Sequence, residues 1–220
     1  MEISAIIAGA GKGVRFGNSE KVFLPLCGTP VIEHSTNCFL HIPEIKEVTL
    51  VVREEDIEMA REMHRDNNIK VISGGRSRGE SIRKGVELSI YDFVLIHDAV
   101  RPLINVQFVQ NIISSLTEGF DAVIPGIAIK YTVKERHNDF VTRTLDRRNL
   151  VEVQTPQFFR KSSLLRAYEK YFDKEITDES MLIERAGGKV RIVPGIEENI
   201  KITTPLDLFL VEEIFNKWKK

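Results

Sequence analysis

SAIIAGAGKGVRFG, residues 4–17, is an apolar run that breaks into alternating glycines and an arginine, with Lys21 close behind. A run that is apolar at nearly every position fits a strand buried on both faces. Gly9, Gly11 and Gly13 let the following backbone approach a polyanion closely and turn its N–H groups toward it. The loop therefore reads as a phosphate cradle, with Arg15 and Lys21 as its cations. Its spacing fits neither of two common cradles. The dinucleotide fingerprint G-x-G-x-x-G counted from Gly11 needs glycine where Phe16 stands, and the Walker pattern needs serine or threonine where Gly13 follows Lys12. The plain alternative is a tight strand-to-helix turn with solvated charges.

Outward from this loop, short β-branched runs alternate with amphipathic stretches. The runs are Ile3 to Ile7, Val48 to Val52, Lys70 to Ile72, Phe93 to Ile96 and Ala122 to Ile124. Helices are predicted over Val31 to Leu40, Glu54 to Asp66, Gly79 to Leu88 and Val106 to Thr117. This alternation predicts an α/β fold, a mainly parallel Rossmann-like sheet covered by helices on both faces. In such sheets ligands sit at the C-terminal ends of the strands. That rule selects the glycine loop, SGGRSRGES after the third strand and HDAVRP after the fourth.

The region 130–145, KYTVKERHNDFVTRTL, breaks the rhythm. It reads as two polar strands around a turn at His137, Asn138 and Asp139, a hairpin that needs outside support, most simply a second copy of the chain. Near the C-terminus, Thr204 can cap a helix that Pro205 starts and Asp207 favours. Leu206, Phe209, Leu210, Ile214 and Trp218 are its predicted apolar face.

The 220 residues suit one domain, 1–220, with an arm inserted at about 128–147, and the formal net charge is −1. That balance argues against a nucleic-acid surface or a polybasic membrane contact. No apolar run approaches the roughly 20 residues of a membrane span. Cys27 and Cys38 show no metal-ligand spacing and read as buried thiols of a cytoplasmic protein.

Asp98 ends an apolar strand, so its carboxylate should emerge at the ligand edge. Facing a polyphosphate, it would be repelled unless a hard cation such as Mg2+ lay between them. A turn or cap role for Asp98, with Arg101 a surface charge, is the plain alternative. His97 reads as structural. Gly74 and Gly75 allow close approach of backbone, with Arg78 and Ser81 as donors, although a capped β-to-α loop would look the same. TLDRRNLVEVQTPQFF supplies Asp146, Arg147, Thr155 and Gln157. Lys201 sits in a β-branched run and reads as an edge-strand residue.

AGAGKGVRFG, Lys21 with VFLPLCGTPVIEHS, SGGRSRGES, HDAVRP, TLDR, QTPQFF, TDES and ENIKITTPLDL follow one another in a characteristic order. From about Ile6 to Leu210 the chain thereby resembles the 2-C-methyl-D-erythritol 4-phosphate cytidylyltransferases. The resemblance implies a nucleotidyltransferase that joins CTP and 2-C-methyl-D-erythritol 4-phosphate with Mg2+, releasing pyrophosphate. It implies catalytic roles for Arg15, Lys21, Arg147 and Lys201. It places the nucleotide against Ala8, Gly9, Ala10, Gly11, Gly13, Gly74, Gly75, Arg78, Ser81, Asp98 and Ala99. The sugar phosphate falls to Asp98, Arg101, Thr132, Arg147, Thr155 and Lys201, and the metal to Asp98. Thr132 would reach a neighbouring subunit's site, which implies a homodimer through the arm. Two positions depart from the family pattern: Glu20 stands where proline usually precedes the lysine, and Tyr131 where aspartate usually precedes the threonine.

The implied reaction needs no general base, because a phosphate oxygen is already nucleophilic at neutral pH, and the chain offers no Ser-His-Asp or Cys-His set. Three other readings share many of these residues: a ribitol 5-phosphate cytidylyltransferase, a dinucleotide-dependent oxidoreductase and a non-catalytic nucleotide sensor. The oxidoreductase fits worst, since Arg53 and Glu54 leave the second strand without a suitable terminal acid.

Overall fold

A computed structural model of the chain describes residues 1–11, 22–65, 69–172 and 176–218. Strand β1 (Ile3–Ala8) is the apolar run that opens the chain, and Ile3, Ile6 and Ile7 are fully buried. Gly13, Arg15 and Lys21 lie outside the described residues. A small hairpin follows, β2 (Pro25–Leu26) and β3 (Thr29–Pro30), turning through Cys27 and Gly28 with φ of 50° and 86°. Positive φ at both central residues matches the right-handed twist of the flanking strands.

Strands and helices then alternate: α1 (Val31–Leu40), β4 (Ile45–Val52), α2 (Ile57–Met63), β5 (Ile69–Ser73), α3 (Arg78–Leu88), β6 (Phe93–Asp98), α4 (Val106–Ser114) and β7 (Ala122–Ala128). The hairpin β8 (Lys134–His137) and β9 (Phe140–Thr144) comes next, followed by β10 (Val151–Val153), β11 (Gln157–Arg160), α5 (Lys161–Tyr171), α6 (Ser180–Arg185), β12 (Val190–Pro194) and α7 (Pro205–Trp218).

The main sheet runs β10-β7-β11-β6-β1-β4-β5, with β12 also on β7. Strands β5, β4, β1 and β6 are mutually parallel, and β11 enters antiparallel between β6 and β7. The chain steps from β1 to β4 to β5, then returns to lay β6 on the other side of β1. The crevice at that reversal is where such sheets bind ligands. Ala8 and Asp98 stand side by side there, in register at the ends of β1 and β6.

Alternation along the strands sorts the core into two layers. Ile3, Ala5 and Ile7 pack with Leu50 and Leu95 against Ile32 and Phe39 of α1 and Val109 and Ile112 of α4. Ile6, Val51, Val94 and Ile96 face the other way, onto Ile82 and Val86 of α3, Leu164 and Tyr168 of α5 and Leu182 of α6.

Four details differ from the sequence reading. The helix expected over Glu54 to Asp66 divides into a 3-10 turn at Glu54–Asp56 and a helix that ends at Met63. Lys201 lies in irregular backbone, not in an edge strand. Helix α7 turns Val211 fully inward, with Leu208, Ile214 and Phe215 packed beside it. Leu206, Phe209, Leu210 and Trp218, expected on its apolar face, are exposed, because the helix carries a second apolar row, Leu208, Val211 and Phe215, and it is this row that meets the core. Cys27 and Cys38 are free and half-buried rather than enclosed. The polar hairpin is as the pattern predicts: β8 and β9 pair with each other, every residue is exposed, and Asn138 takes a φ of 50° at the turn.

Candidate active site

Asp98 ends β6 with its side chain almost fully buried, yet three cations converge on it. Arg78 Nε donates to Oδ1 at 3.1 Å, Lys201 Nζ donates to Oδ2 at 2.7 Å, and Arg101 Nε lies 3.8 Å from Oδ2. Burial by itself would raise this carboxyl's pKa, but Arg78 and Lys201 outweigh it and hold the group well below the usual carboxylate range. Asp98 is therefore ionised at any physiological pH. Arg101, which a plain reading leaves on the surface, is buried and donates through Nη1 to the Asn199 carbonyl at 2.7 Å. Its Nε has no hydrogen-bond partner among the described residues.

Each cation comes from a different local structure. Arg78 is the first residue of α3, whose N-cap Ser77 accepts from Glu80 N at 3.1 Å while the Glu80 carboxylate accepts from Arg76 N at 2.7 Å. This resembles a capping box with the Glu80 carboxylate reaching one residue further back, and the two bonds fix where α3 begins. Ahead of it, a Cβ on Gly74 would stand 2.5 Å from Ala10 Cβ and 2.8 Å from Ser81 Oγ. Glycine at 74 thus lets the loop after β5 close against the loop after β1. Ser81 shapes this loop: its hydroxyl donates to Ser77 O and accepts from Gly75 N. That leaves its proton engaged within the chain rather than offered outward.

Arg101 follows Asp98 in a tight turn, with Arg101 N donating to Asp98 O at 3.0 Å. Lys201 is carried by a loop held from beneath, where buried Asn199 donates to Thr155 O at 2.8 Å and buried Gln154 donates to Ile196 O at 2.8 Å. A cavity of about 390 Å3 opens beside the cluster, with Arg101, Lys201, Gln154 and Asn199 among its lining and Glu152, Glu197 and Asp207 adding acidic groups.

Behind Asp98, His97 is fully buried, and that burial lowers its pKa to about 4. Its Nε2 faces the Arg101 carbonyl at 3.1 Å, which can only accept, so Nε2 carries the proton. Nδ1 must then accept from the Thr155 hydroxyl at 3.0 Å, whose oxygen in turn accepts from Asp98 N at 3.1 Å. Thr155 therefore braces the end of β6 with its one proton already given.

The cluster brings together Asp98, Arg78, Arg101 and Lys201, with Ala8, Gly9, Ala10, Gly74, Gly75 and Ala99 along the adjoining strand ends. It does not include Arg147 or Thr132 of the same chain. Both are exposed at the root of the arm, where Arg147 donates to the Lys130 carbonyl. Among the described residues no set of three or more His, Cys, Asp or Glu side chains could cage a metal. Both Asp98 oxygens already accept from cations, Oδ1 from Arg78 and Oδ2 from Lys201, so a hard cation would have to displace one of them to take this carboxylate as a ligand.

Glu179, Gln154 and Asn199 support the site; they lie within TDES, QTPQFF and ENIKITTPLDL, but the residue types alone do not single them out. Asp178 accepts from Met181 N at 3.1 Å and so caps the turn into α6, beside which Glu179 looks in sequence like one more helix-start acid. Its inward turn is visible in three dimensions alone.

The model of the IspD family, 2-C-methyl-D-erythritol 4-phosphate cytidylyltransferase, matches residues 3–217. The chain is 36% identical to the 2-C-methyl-D-erythritol 4-phosphate cytidylyltransferase of Caldanaerobacter subterraneus subsp. tengcongensis, over 99% of this chain and 100% of that one. It is 36% identical to the protein of the same name from Clostridium botulinum, over 98% of this chain and 100% of that one. Its fold is similar to the crystal structure of 4-diphosphocytidyl-2C-methyl-D-erythritol synthase from Anaerococcus prevotii, with a TM-score of 0.86, 32% identity and 98% of both chains covered.

Proposed function

Since the chain belongs to the 2-C-methyl-D-erythritol 4-phosphate cytidylyltransferase family, we propose that the Asp98 cluster is where it performs that family's reaction. A phosphate oxygen of 2-C-methyl-D-erythritol 4-phosphate attacks the α-phosphorus of CTP. The new P–O bond forms as the bond to the β-phosphate breaks, giving 4-diphosphocytidyl-2-C-methyl-D-erythritol and pyrophosphate. The observation that carries this placement is the convergence of Arg78, Arg101 and Lys201 on buried Asp98 at the sheet's switch point.

Both reactants are anions, so repulsion is the first obstacle to their meeting. Asp98 holds three cations in place without cancelling them, and Lys201 and Arg101 also line the adjoining cavity. A phosphate entering there finds preorganised donors that need not reorganise during reaction. Arg101 Nε, 3.8 Å from Asp98 Oδ2 and without a hydrogen-bond acceptor among the described residues, is a donor such an oxygen would satisfy. Ala8, Gly9, Ala10, Gly11, Gly13, Gly74, Gly75, Arg78, Ser81 and Ala99 are assigned to the nucleotide, with Ser81 and the two glycines acting through loop shape. Arg15 and Lys21 are assigned to the charge that grows as pyrophosphate leaves. Magnesium held by Asp98 and the triphosphate would supply further neutralisation of that charge.

Thr132 and Arg147 act on the partner subunit's sugar phosphate in this reading, through an arm exposed at every strand residue. The chain then works as one nucleotidyltransferase unit in a cytoplasmic homodimer. Among the described residues no helix is long and apolar enough to cross a membrane. The deciding experiment measures magnesium-dependent pyrophosphate release from CTP with 2-C-methyl-D-erythritol 4-phosphate or ribitol 5-phosphate in parallel. Release with the first alone supports the assignment, and preference for the second, or no release with either, refutes it.

A further inference from the structure

We propose that Glu179 is a positioning residue for this transfer, holding the Arg78 guanidinium in the plane from which it meets Asp98. The inference rests on reading the Asp98 cluster as the reaction centre. Glu179 is fully buried at the start of α6, and both its carboxylate oxygens accept from Arg78 Nη1, at 3.0 and 3.2 Å. The hydroxyl of Tyr168, itself buried on α5, reaches Oε1 at 3.4 Å. The opposite side of the same guanidinium donates through Nε to Asp98 at 3.1 Å.

A guanidinium is planar and rigid, so two anchors at different edges fix its plane, whereas one anchor leaves it free to swing. With Glu179 in place, Arg78 cannot turn from Asp98 without breaking a buried ion pair. Arg78 also starts α3 directly after the Ser77 cap, so the link ties the loop assigned to the nucleotide to the carboxylate between the two substrates. Burial pushes the Glu179 carboxyl pKa up, and Arg78, which it shares with Asp98, offsets only part of that. A carboxylate held at this expense is weak evidence for stability, since apolar packing does as well, and its value here is orientation.

The test compares Glu179→Gln, Arg78→Lys and the double variant, with Asp98→Asn as the control on the site. Pyrophosphate release is measured with each substrate varied, alongside thermal unfolding. In Glu179→Gln, kcat is expected to fall by about tenfold to a hundredfold, the range a roughly 1 Å misplacement produces, with the melting temperature lowered no further than in Arg78→Lys, since either change weakens the same buried pair. Arg78→Lys keeps the charge but not the fork and should lose a similar factor. The double variant should lose no more than about a further twofold, because both changes break one link. Wild-type kcat in Glu179→Gln, or losses that multiply in the double variant, overturn the proposal while inactive Asp98→Asn keeps the site. Should Glu179→Gln not fold, full activity of Arg78→Lys overturns it alone. If Asp98→Asn keeps full turnover, the placement of the reaction centre falls, and the role of Glu179 with it.

Discussion

Lys201 Nζ donates to Asp98 Oδ2 at 2.7 Å, joining segments 103 residues apart in the chain. Lys201 is about one-third exposed, whereas Asp98 is buried and keeps Arg78 and Arg101 when the lysine is lost. Lys201→Met should therefore change function more than stability. We expect a loss of about 1 kcal/mol or less in unfolding free energy. The KM for the sugar phosphate should rise more than tenfold while that for CTP moves little. Equal effects on both substrates would show that Lys201 serves the cluster as a whole rather than the acceptor.

His97 gives the fold a defined acid sensitivity. Its pKa is lowered from 6.5 to about 4, chiefly by burial, so between those values the unfolded chain binds a proton that the folded chain does not. Its contribution is thus fully present above about pH 6.5 and drains away as pH falls toward 4. At 1.36 kcal/mol per pH unit the interval is worth roughly 3 kcal/mol. Buried His64, also lowered by burial, acts in the same direction. Asp98 adds little slope in this window, because it is ionised in both the folded and the unfolded chain there; its share begins to be lost as pH falls through the ordinary carboxylate value of 3.8. His97→Gln offers a donor to Arg101 O and an acceptor to Thr155 without titrating. Urea unfolding of this variant should show a flatter stability slope between pH 4.5 and 6.5 than the parent.

How far the sequence could be read follows from which interactions are local. Helix α1 falls on Val31–Leu40 as expected, since the proline before it and the apolar spacing within it are neighbours in sequence. The strand order's ligand edge was equally legible, because β1, β5 and β6 each end in glycine or aspartate loops. Lys201 has a strand-like sequence but no strand, for its β-branched neighbours Ile200 and Ile202 pack against the core from irregular backbone. In α7 the sequence offers two apolar rows, one through Leu206 and Phe209 and one through Leu208, Val211 and Phe215, and only tertiary packing selects the second. Glu179 stands in the TDES stretch, but its role is not legible locally, because its partner Arg78 is 101 residues away.

Arg15 is assigned to charge that grows in the transition state, so its removal should separate chemistry from binding. Arg15→Ala is expected to lower single-turnover rates by a factor of about a hundred to a thousand, the usual effect of deleting one such donor. CTP affinity, measured by calorimetry with the metal present, should weaken far less. A variant that binds CTP poorly yet turns over normally once saturated would assign Arg15 to ground-state binding.

Arg147 and Lys201 belong to separate parts of one chain, the first exposed at the arm and the second beside Asp98. If the arm completes the neighbouring subunit's site, each site takes its Arg147 and Lys201 from different chains. Arg147→Ala and Lys201→Met homodimers should then both be deficient, since every site lacks one of the two. Mixing the two variants under conditions that exchange subunits makes about half the dimers mixed. In a mixed dimer both defects fall on one site and the other is intact. Activity should therefore recover to about a quarter of wild type and scale with the mixed fraction. Were both residues to act within one chain, every site in the mixture would stay defective and activity would remain at the level of the parents. Replacing exposed Phe140 and Val141 on the arm by serine should abolish the recovery and shift sedimentation toward the monomer.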